Sequence, residues 1–239
     1  MAYFLLLSKM KNIMQLNLIE KFLIIALDAK KGKFIIDSLS LNYGLAGAIL
    51  LELSEMNKID INNKRLELID DKFTDDDVIN DSIKVIKKTK RKRTAKYWVN
   101  KIGNSASRYK KQILRDLSNK NILVINKKSY FFGLFNFYSY PLSDRKYKDD
   151  IANHLLGIAI DKKDADLESL LLLSLLNSCK LSRTLFSNKK EFLAANKRIK
   201  ELSKDVEISD AVRKTLNEIQ RAVLVATTSA FLAATSSSA

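Results

Sequence analysis

The chain has 239 residues, a formal net charge of +15 and an apolar content of 46%. This apolar content is enough to bury a core, so the high charge does not indicate disorder, and the length suits one large domain or two small ones. One cysteine and one histidine exclude an internal disulfide and the usual zinc sites, and one proline with six glycines argues against a many-turned β-sandwich. The composition predicts a soluble, intracellular, mostly helical protein.

The N-terminal half begins with two helices and a hairpin. Apolar periodicity predicts a helix over residues 16–27 and a strongly apolar, central helix over residues 43–56. A short β-hairpin is predicted next, over residues 59–68, because isoleucines and leucines alternate with polar residues around an Asn-Asn-Lys-Arg turn. Three more helices are predicted over residues 76–88, 94–102 and 109–118.

A second hairpin is predicted after these helices, with strands over residues 122–125 and 130–138 and a turn at Lys127 and Lys128. Seven of the nine positions from 130 to 138 are large apolar or aromatic residues. A packed strand needs apolar side chains only at alternate positions, so one face should remain free unless helices cover both. We expect the free face to enter a lipid interface or to pair with a second subunit. The candidate contact residues are Phe131, Phe132, Leu134, Phe135 and Phe137.

The C-terminal half, residues 147–232, is predicted to form four helices. The candidate N-terminal caps are Asp166, Ser187 or Asn188, and Ser209. No internal repeat or linker divides the chain. The sequence therefore predicts a single domain over residues 16–232, a loosely ordered extension over residues 1–15 and a disordered tail over residues 233–239.

Positive charge is concentrated in residues 84–115, the basic segment, which holds thirteen Lys and Arg and no Asp or Glu. Two interpretations are open. The segment is either a solvated helix face or mobile loop, or a surface that binds a polyanion such as nucleic acid or anionic lipid. Its densest part contains Lys87, Lys88, Lys90, Arg91, Lys92 and Arg93.

Catalytic and metal chemistry find no support in the sequence. The segment from Gly44 to Gly47 lacks the third glycine, the lysine and the preceding strand of a phosphate-binding loop. We expect His154 to be a core or boundary residue and Cys179 a small core residue, and the acidic run at residues 75–77 is typical of a helix start. No catalytic residue, metal site or cofactor is predicted. No apolar run reaches the roughly 20 residues that span a bilayer.

Six segments, taken in their order and spacing, resemble the Golgi phosphoprotein 3 family of phosphoinositide-binding peripheral membrane proteins. The segments are residues 16–23, 44–53, 79–84, 117–123, 140–144 and 166–168. The resemblance covers roughly residues 16–232. It implies a mostly α fold, in which amphipathic helices surround a helical core bundle and short β-hairpins lie on the surface.

The resemblance also implies a headgroup site. Eukaryotic members use a Trp before the glycine-flanked helix, an Arg within that helix, and two basic residues three apart before the second hairpin. The Trp position falls near Ile36 or Asp37, the Arg position is Ala46, and the other two are Ser107 and Lys110. We therefore expect headgroup binding from Lys110, with three neighbouring cations able to compensate for the departures. These are Arg108, Lys111 and Arg115.

The resulting hypothesis is a non-enzymatic peripheral membrane protein, without cofactors, that binds anionic phospholipid headgroups of the phosphatidylinositol 4-phosphate type. The second hairpin would contact the membrane or form a homo-oligomer, and the family resemblance implies trafficking or membrane-enzyme partners. The expected location is the cytoplasm, peripherally on membranes, and the cytosolic Golgi face in a eukaryote. The main alternative is a winged-helix-like nucleic-acid-binding protein that uses the basic segment. A structural protein with a merely solvated basic face is a third.

Overall fold

The fold is taken from a computed structural model that describes residues 16–236 except residues 133, 162–163, 187 and 206–209. Within these residues the chain forms nine α-helices and two two-stranded antiparallel sheets, which confirms the expected mostly α fold class. The helices are α1 (Leu18–Ala26), α2 (Ser38–Glu55), α3 (Asp77–Lys87), α4 (Ala95–Gly103), α5 (Ala106–Asn119), α6 (Lys146–Ala159), α7 (Leu167–Ser178), α8 (Lys189–Asp205) and α9 (Asp210–Ser236). The strands are β1 (Ile59–Asn62), β2 (Arg65–Leu68), β3 (Asn126–Tyr130) and β4 (Phe135–Ser139).

The centre of the molecule is α2, whose residues from Gly44 to Ser54 are all buried. A helix that is apolar on every side must be covered on every side, and α1, α4, α7 and α9 pack around it. The helices approach closely because α2 carries two glycines. A Cβ on Gly44 would lie 2.4 Å from the Phe22 ring, and one on Gly47 would lie 2.7 Å from Val223 and 2.8 Å from Leu175. All nine helices contribute to one core.

The first hairpin forms as predicted. Ile59 pairs with Leu68 and Ile61 with Leu66, and both pairs place apolar side chains toward the core. Asn63 and Lys64 form the turn in the left-handed conformation, with φ of 50° and 60°. A two-residue turn of this kind matches the twist of the paired strands.

The second hairpin differs from the prediction in its register. Residues 122–125 are not a strand, and Lys127 and Lys128 lie within β3, while Phe131, Phe132 and Leu134 lie in the turn. Ile122 and Leu123 are buried in the core, and the backbone N–H of Val124 donates to the Pro141 carbonyl at 2.9 Å. Only the first two residues of the apolar run are therefore buried, and the hairpin extends away from the core beyond them.

The C-terminal half contains the four predicted helices. The Asp166 carboxylate accepts from the Ser169 N–H at 2.7 Å, and the Asn188 side chain accepts from the Glu191 N–H at 3.0 Å, so both predicted caps are confirmed. The other two candidates, Ser187 and Ser209, lie outside the described residues. Helix α9 continues to Ser236, so helix extends into the segment predicted to be a disordered tail. Residues 1–15 and 237–239 also lie outside the described part.

Candidate functional site

The second hairpin, residues 126–139 and here called the aromatic hairpin, is exposed on both faces. Every residue of β3 is exposed, and so is every residue of β4 except the last. At the turn, Phe132 is fully exposed, Leu134 is 80% exposed and Phe131 is 71% exposed. The alternative in which helices cover both faces is therefore wrong for this hairpin. The sequence suggested one free face, and the structure leaves two.

The exposed rings of the aromatic hairpin pack against one another. Tyr130 meets Phe137 edge-to-face with ring centroids 5.6 Å apart, and Phe131 meets Phe135 in the same way at 5.9 Å. Such pairs stabilise a two-stranded ribbon by about 0.5–1.5 kcal/mol each. The aromatic hairpin thus presents an ordered apolar surface to its surroundings. Contiguous exposed apolar surface of this kind is typical of membrane or protein contact.

Two of the predicted headgroup residues meet at the base of the aromatic hairpin. Lys111 and Arg115 lie one turn apart on α5, and together with two tyrosines of the hairpin and its flank they line a cavity of about 120 Å³. We call it the tyrosine cavity. Its lining residues are Lys111, Leu114, Arg115, Ile125, Tyr138 and Tyr140. Among the described residues neither cation forms an ion pair, so both charges remain available to a ligand.

Lys110 lies beside the tyrosine cavity. Its ammonium group is 5.3 Å from the centre of the Phe34 ring, and that ring is 6.2 Å from the ring of Tyr140. Burial, with a contribution from the charge of Lys111, lowers the pKa of Lys110. The main cause is the loss of water around the ammonium group, and repulsion between the two lysines adds to it.

Arg108, the fourth predicted headgroup residue, does not line the tyrosine cavity. Its guanidinium lies 3.1 Å from the Asp81 carboxylate on α3 and stacks 5.0 Å from the centre of the Tyr109 ring. Residues 108, 111 and 115 are spaced three and four apart and therefore follow one side of α5. Arg108 differs from the other two in lying in the first turn of the helix, about 10 Å along the axis from Arg115, where the Asp81 carboxylate pairs with it.

Three of the four positions that would form the family's headgroup pocket hold no cation. Ala46 is completely buried in α2 and has no polar group. Ile36 is partly buried against the core, and the Asp37 carboxylate caps α2 by accepting from the Ser40 N–H at 2.8 Å. Ser107 is exposed on α5. Of the four positions only Lys110 carries a cation.

The loop between α3 and α4 carries the densest part of the basic segment. Its end is tied to the first hairpin, where the Leu66 N–H donates to the Arg93 carbonyl at 2.7 Å and Lys92 pairs with Glu67 at 2.7 Å. Lys87 pairs with Asp71, and Arg93 stacks 5.1 Å from the centre of the Tyr97 ring. Three exposed cations of this loop form no ion pair with a described residue. They are Lys88, Lys90 and Arg91.

A second and larger cavity, about 620 Å³, lies between α1, α6 and α7 and includes none of the predicted site residues. Its floor is Ile151, Leu155 and Leu172, and its rim is charged. Lys21 pairs with Glu168 there at 2.5 Å. The histidine expected in or beside the core, His154, is exposed at this rim, with Nε2 3.0 Å from the Ser169 hydroxyl. Sequence periodicity gave no signal for this cavity because three separate helices form it.

Cys179 is buried, as expected, and burial raises the pKa of its thiol. In the part of the chain that the structure describes, no group of three or more His, Cys, Asp or Glu side chains is arranged to hold a metal ion. None of the described helices combines the length and the apolarity needed to cross a bilayer.

Comparison with known proteins supports the resemblance noted in the sequence. The model of the Golgi phosphoprotein 3 (GPP34) family matches residues 18–219. A curated relative, "Vacuolar protein sorting-associated protein 74" of Schizosaccharomyces pombe (strain 972 / ATCC 24843), is 28% identical over 165 residues. The match covers 60% of this chain and 48% of the relative, so the chain spans about half the length of that protein. The family predicted from the six segments is confirmed.

Proposed function

The chain belongs to the Golgi phosphoprotein 3 family, and from that premise we propose that it is a non-enzymatic peripheral membrane protein that binds anionic phospholipid surfaces. The single observation that carries the proposal is the aromatic hairpin, exposed on both faces, with two available cations at its base. The family name and the relative's name favour a role at Golgi membranes and in protein sorting. We include this location and this role in the proposal.

The proposed mechanism adds two weak interactions. Cations within reach of an anionic membrane surface contribute about 1 kcal/mol each. Lys88, Lys90 and Arg91 on the α3–α4 loop supply such charges alongside the two cations of α5. Rings at the hairpin turn supply the second interaction, since apolar area removed from water contributes about 25 cal/mol per Å². Two signals of this size give stable but reversible attachment.

The aromatic hairpin also offers a surface for homo-oligomerisation, and one face could contact a second copy while the turn contacts lipid. Binding of nucleic acid would use the basic segment without the hairpin, because phosphate contact on a duplex needs cations and no apolar insertion. This difference separates the lipid proposal from its main alternative.

The experiment is vesicle co-sedimentation at physiological salt, with neutral and phosphatidylserine-containing vesicles and a duplex DNA competitor. Phe132→Asp with Phe135→Asp should reduce binding to anionic vesicles at least tenfold, because the charges prevent insertion. Leu193→Asp with Leu224→Asp is the matched control, since it changes two exposed leucines on α8 and α9. The control should bind as the wild type does.

The electrostatic part is tested with Lys88→Glu and Lys90→Glu together, which should weaken binding to every anionic vesicle. Lys189→Glu with Lys190→Glu makes the same change of charge at the exposed start of α8 and should have a smaller effect. The proposal would be refuted if the loop variant lost DNA binding but bound vesicles as the wild type does. It would also be refuted if the hairpin variant and its control bound vesicles equally.

A further inference from the structure

The larger cavity, between α1, α6 and α7, has the size and lining of a binding site. We call it the histidine cavity, because His154 lies at its rim. Its volume of about 620 Å³ falls within the range of about 300–1,000 Å³ that is typical of ligand pockets. The floor is formed by Ile151, Leu155 and Leu172, and charged side chains surround it. A matching occupant needs an apolar part that covers the floor and a charged part that meets the rim.

The rim of the histidine cavity is acidic. Three carboxylates line it, from Asp150, Asp166 and Glu168, against two lysines. One of these lysines, Lys21, already pairs with Glu168. Burial raises the pKa of the neighbouring Glu55, and the charges of Glu168 and Asp166 add to this effect. The carboxylates thus outnumber the cations, and the rim favours an occupant that brings positive charge.

The segment that precedes α1 has the matching composition. Residues 3–7 are five consecutive large apolar residues, Tyr-Phe-Leu-Leu-Leu, and Lys9 and Lys11 follow them closely. Residues 1–15 contain no Asp or Glu. Burial of an apolar run is favourable by about 25 cal/mol per Å² of surface removed from water. The segment therefore offers an apolar part for the floor and two cations for the rim.

The described chain begins close to the histidine cavity. It starts at Leu16, which is buried in the core, and α1 follows from Leu18. Lys21, in the wall of the cavity, lies three residues further along α1, which is about 5 Å at the rise of an α-helix. Residues 8–15 can span up to about 26 Å when they are extended. This length is enough to bring residues 3–7 back along α1 to the floor.

From composition, charge and reach together, we infer that residues 3–11 dock in the histidine cavity of their own chain, with the apolar run on the floor and the two lysines at the acidic rim. The docked segment closes the cavity to other molecules. Docking is independent of the proposed membrane contact, because no described residue of the basic segment or of the aromatic hairpin lines this cavity. Failure of either proposal leaves the other intact.

The test uses His154, the one histidine of the chain, because its ring signal in NMR needs no assignment. A nitroxide is attached to the full chain at Ser8→Cys, in a Cys179→Ala background, and the histidine ring is isotope-labelled. The His154 signal should broaden strongly. A nitroxide at Lys101→Cys is the control, since this exposed residue lies on α4, which packs on α2 and α9, and it should leave the signal sharp.

A second mixture distinguishes docking within one chain from exchange between two copies. Nitroxide-labelled chains without the isotope are mixed with isotope-labelled chains without the nitroxide. The His154 signal should stay sharp in this mixture, because each cavity is filled by its own segment.

Substitutions in the segment distinguish docking from mere tethering near the cavity. Phe4→Asn with Leu6→Asn should weaken docking at least tenfold and sharpen the His154 signal, because two large apolar side chains no longer cover the floor. Asn12→Gln with Gln15→Asn is the matched control, since it changes two polar residues of the same segment without a change of charge, and it should keep the broadening.

The charge of the segment is tested with Lys9→Glu and Lys11→Glu together, which should also sharpen the His154 signal by repulsion from the rim. Four outcomes would each overturn the inference. They are a sharp His154 signal with the nitroxide at residue 8, equal broadening by the α4 label, broadening in the mixture of chains, and broadening that survives either the apolar or the lysine substitutions.

Discussion

Glu52 carries a buried carboxyl at the junction of α1 and α2, and its removal makes a quantitative test of the fold. The side chain is 6% exposed, and its Oε2 accepts from the Leu18 N–H, in the first turn of α1, at 3.0 Å. Burial, reinforced by the charges of Glu55 and Glu168, raises the pKa of Glu52 to about 7. Glutamine has nearly the same shape and keeps an oxygen for the Leu18 N–H, so Glu52→Gln removes the charge and little else.

The sign of the effect follows from proton binding. Between pH 4.5, the ordinary pKa of a glutamate, and about pH 7, the folded state binds more protons at Glu52 than the unfolded state does. The free energy of unfolding therefore falls as pH rises through this window and levels off above it. At about 1.4 kcal/mol per pKa unit, the loss at pH 8 is about 3 kcal/mol. The glutamine variant avoids this loss.

The assay is urea unfolding followed by circular dichroism at pH 5 and pH 8. Glu52→Gln should unfold with nearly the wild-type free energy at pH 5 and be about 2–3 kcal/mol more stable at pH 8, which corresponds to about 4–12 °C in Tm for a chain of this size. Glu67→Gln serves as the surface control, because that carboxylate pairs with the exposed Lys92. The reasoning would be refuted if the wild type and Glu52→Gln lost the same free energy of unfolding between pH 5 and pH 8.

Three further predictions concern the core. Gly44→Ala should lower the free energy of unfolding by about 1–2 kcal/mol despite alanine's better helix propensity, because its Cβ would lie 2.4 Å from the buried Phe22 ring. A variant that is as stable as the wild type in urea, or more stable, would contradict this close approach. Asn17→Ala should cost about 1 kcal/mol in the same assay, since Asn17 and Glu20 form a capping box at the start of α1, and an unchanged midpoint would show that the cap is not needed. Cys179 should react with a thiol reagent at the rate of unfolding, because its thiol is buried and its pKa is raised; rapid labelling of all the folded protein would be inconsistent with its place in the core.

Local patterns in the sequence predicted elements whose stabilising contacts are also local. The first hairpin has alternating apolar residues and a turn at Asn63 and Lys64, and both lie within ten residues of sequence. Asp166 and Asn188 cap their helices through hydrogen bonds that reach only three residues along the chain. Such contacts can be inferred without knowing the rest of the fold.

The second hairpin shows where local patterns fail. The apolar run at its start, residues 122–125, has the composition of a strand, but Leu123 bridges to Leu142. Ile122 and Leu123 are buried by distant parts of the chain, whereas Val124 is exposed. The two strands lie further along the chain, at residues 126–130 and 135–139. No helix covers their aromatic side chains, and the rings pack against one another across the hairpin. Both the register and the exposure of the hairpin depend on which surfaces the core leaves unoccupied.

The sequence by itself determined the family, the mostly α class, the concentration of cations in residues 84–115 and the surplus of aromatic residues in the second hairpin. Each of these is a matter of composition, of the order of segments or of short spacing along the chain. Only the tertiary structure decided which cations lie close together. It turned Arg108 toward Asp81 and placed Lys111 with Arg115 beside Tyr138. A cavity is formed by side chains from segments far apart in sequence, and their meeting is set by how helices and strands pack around a shared core.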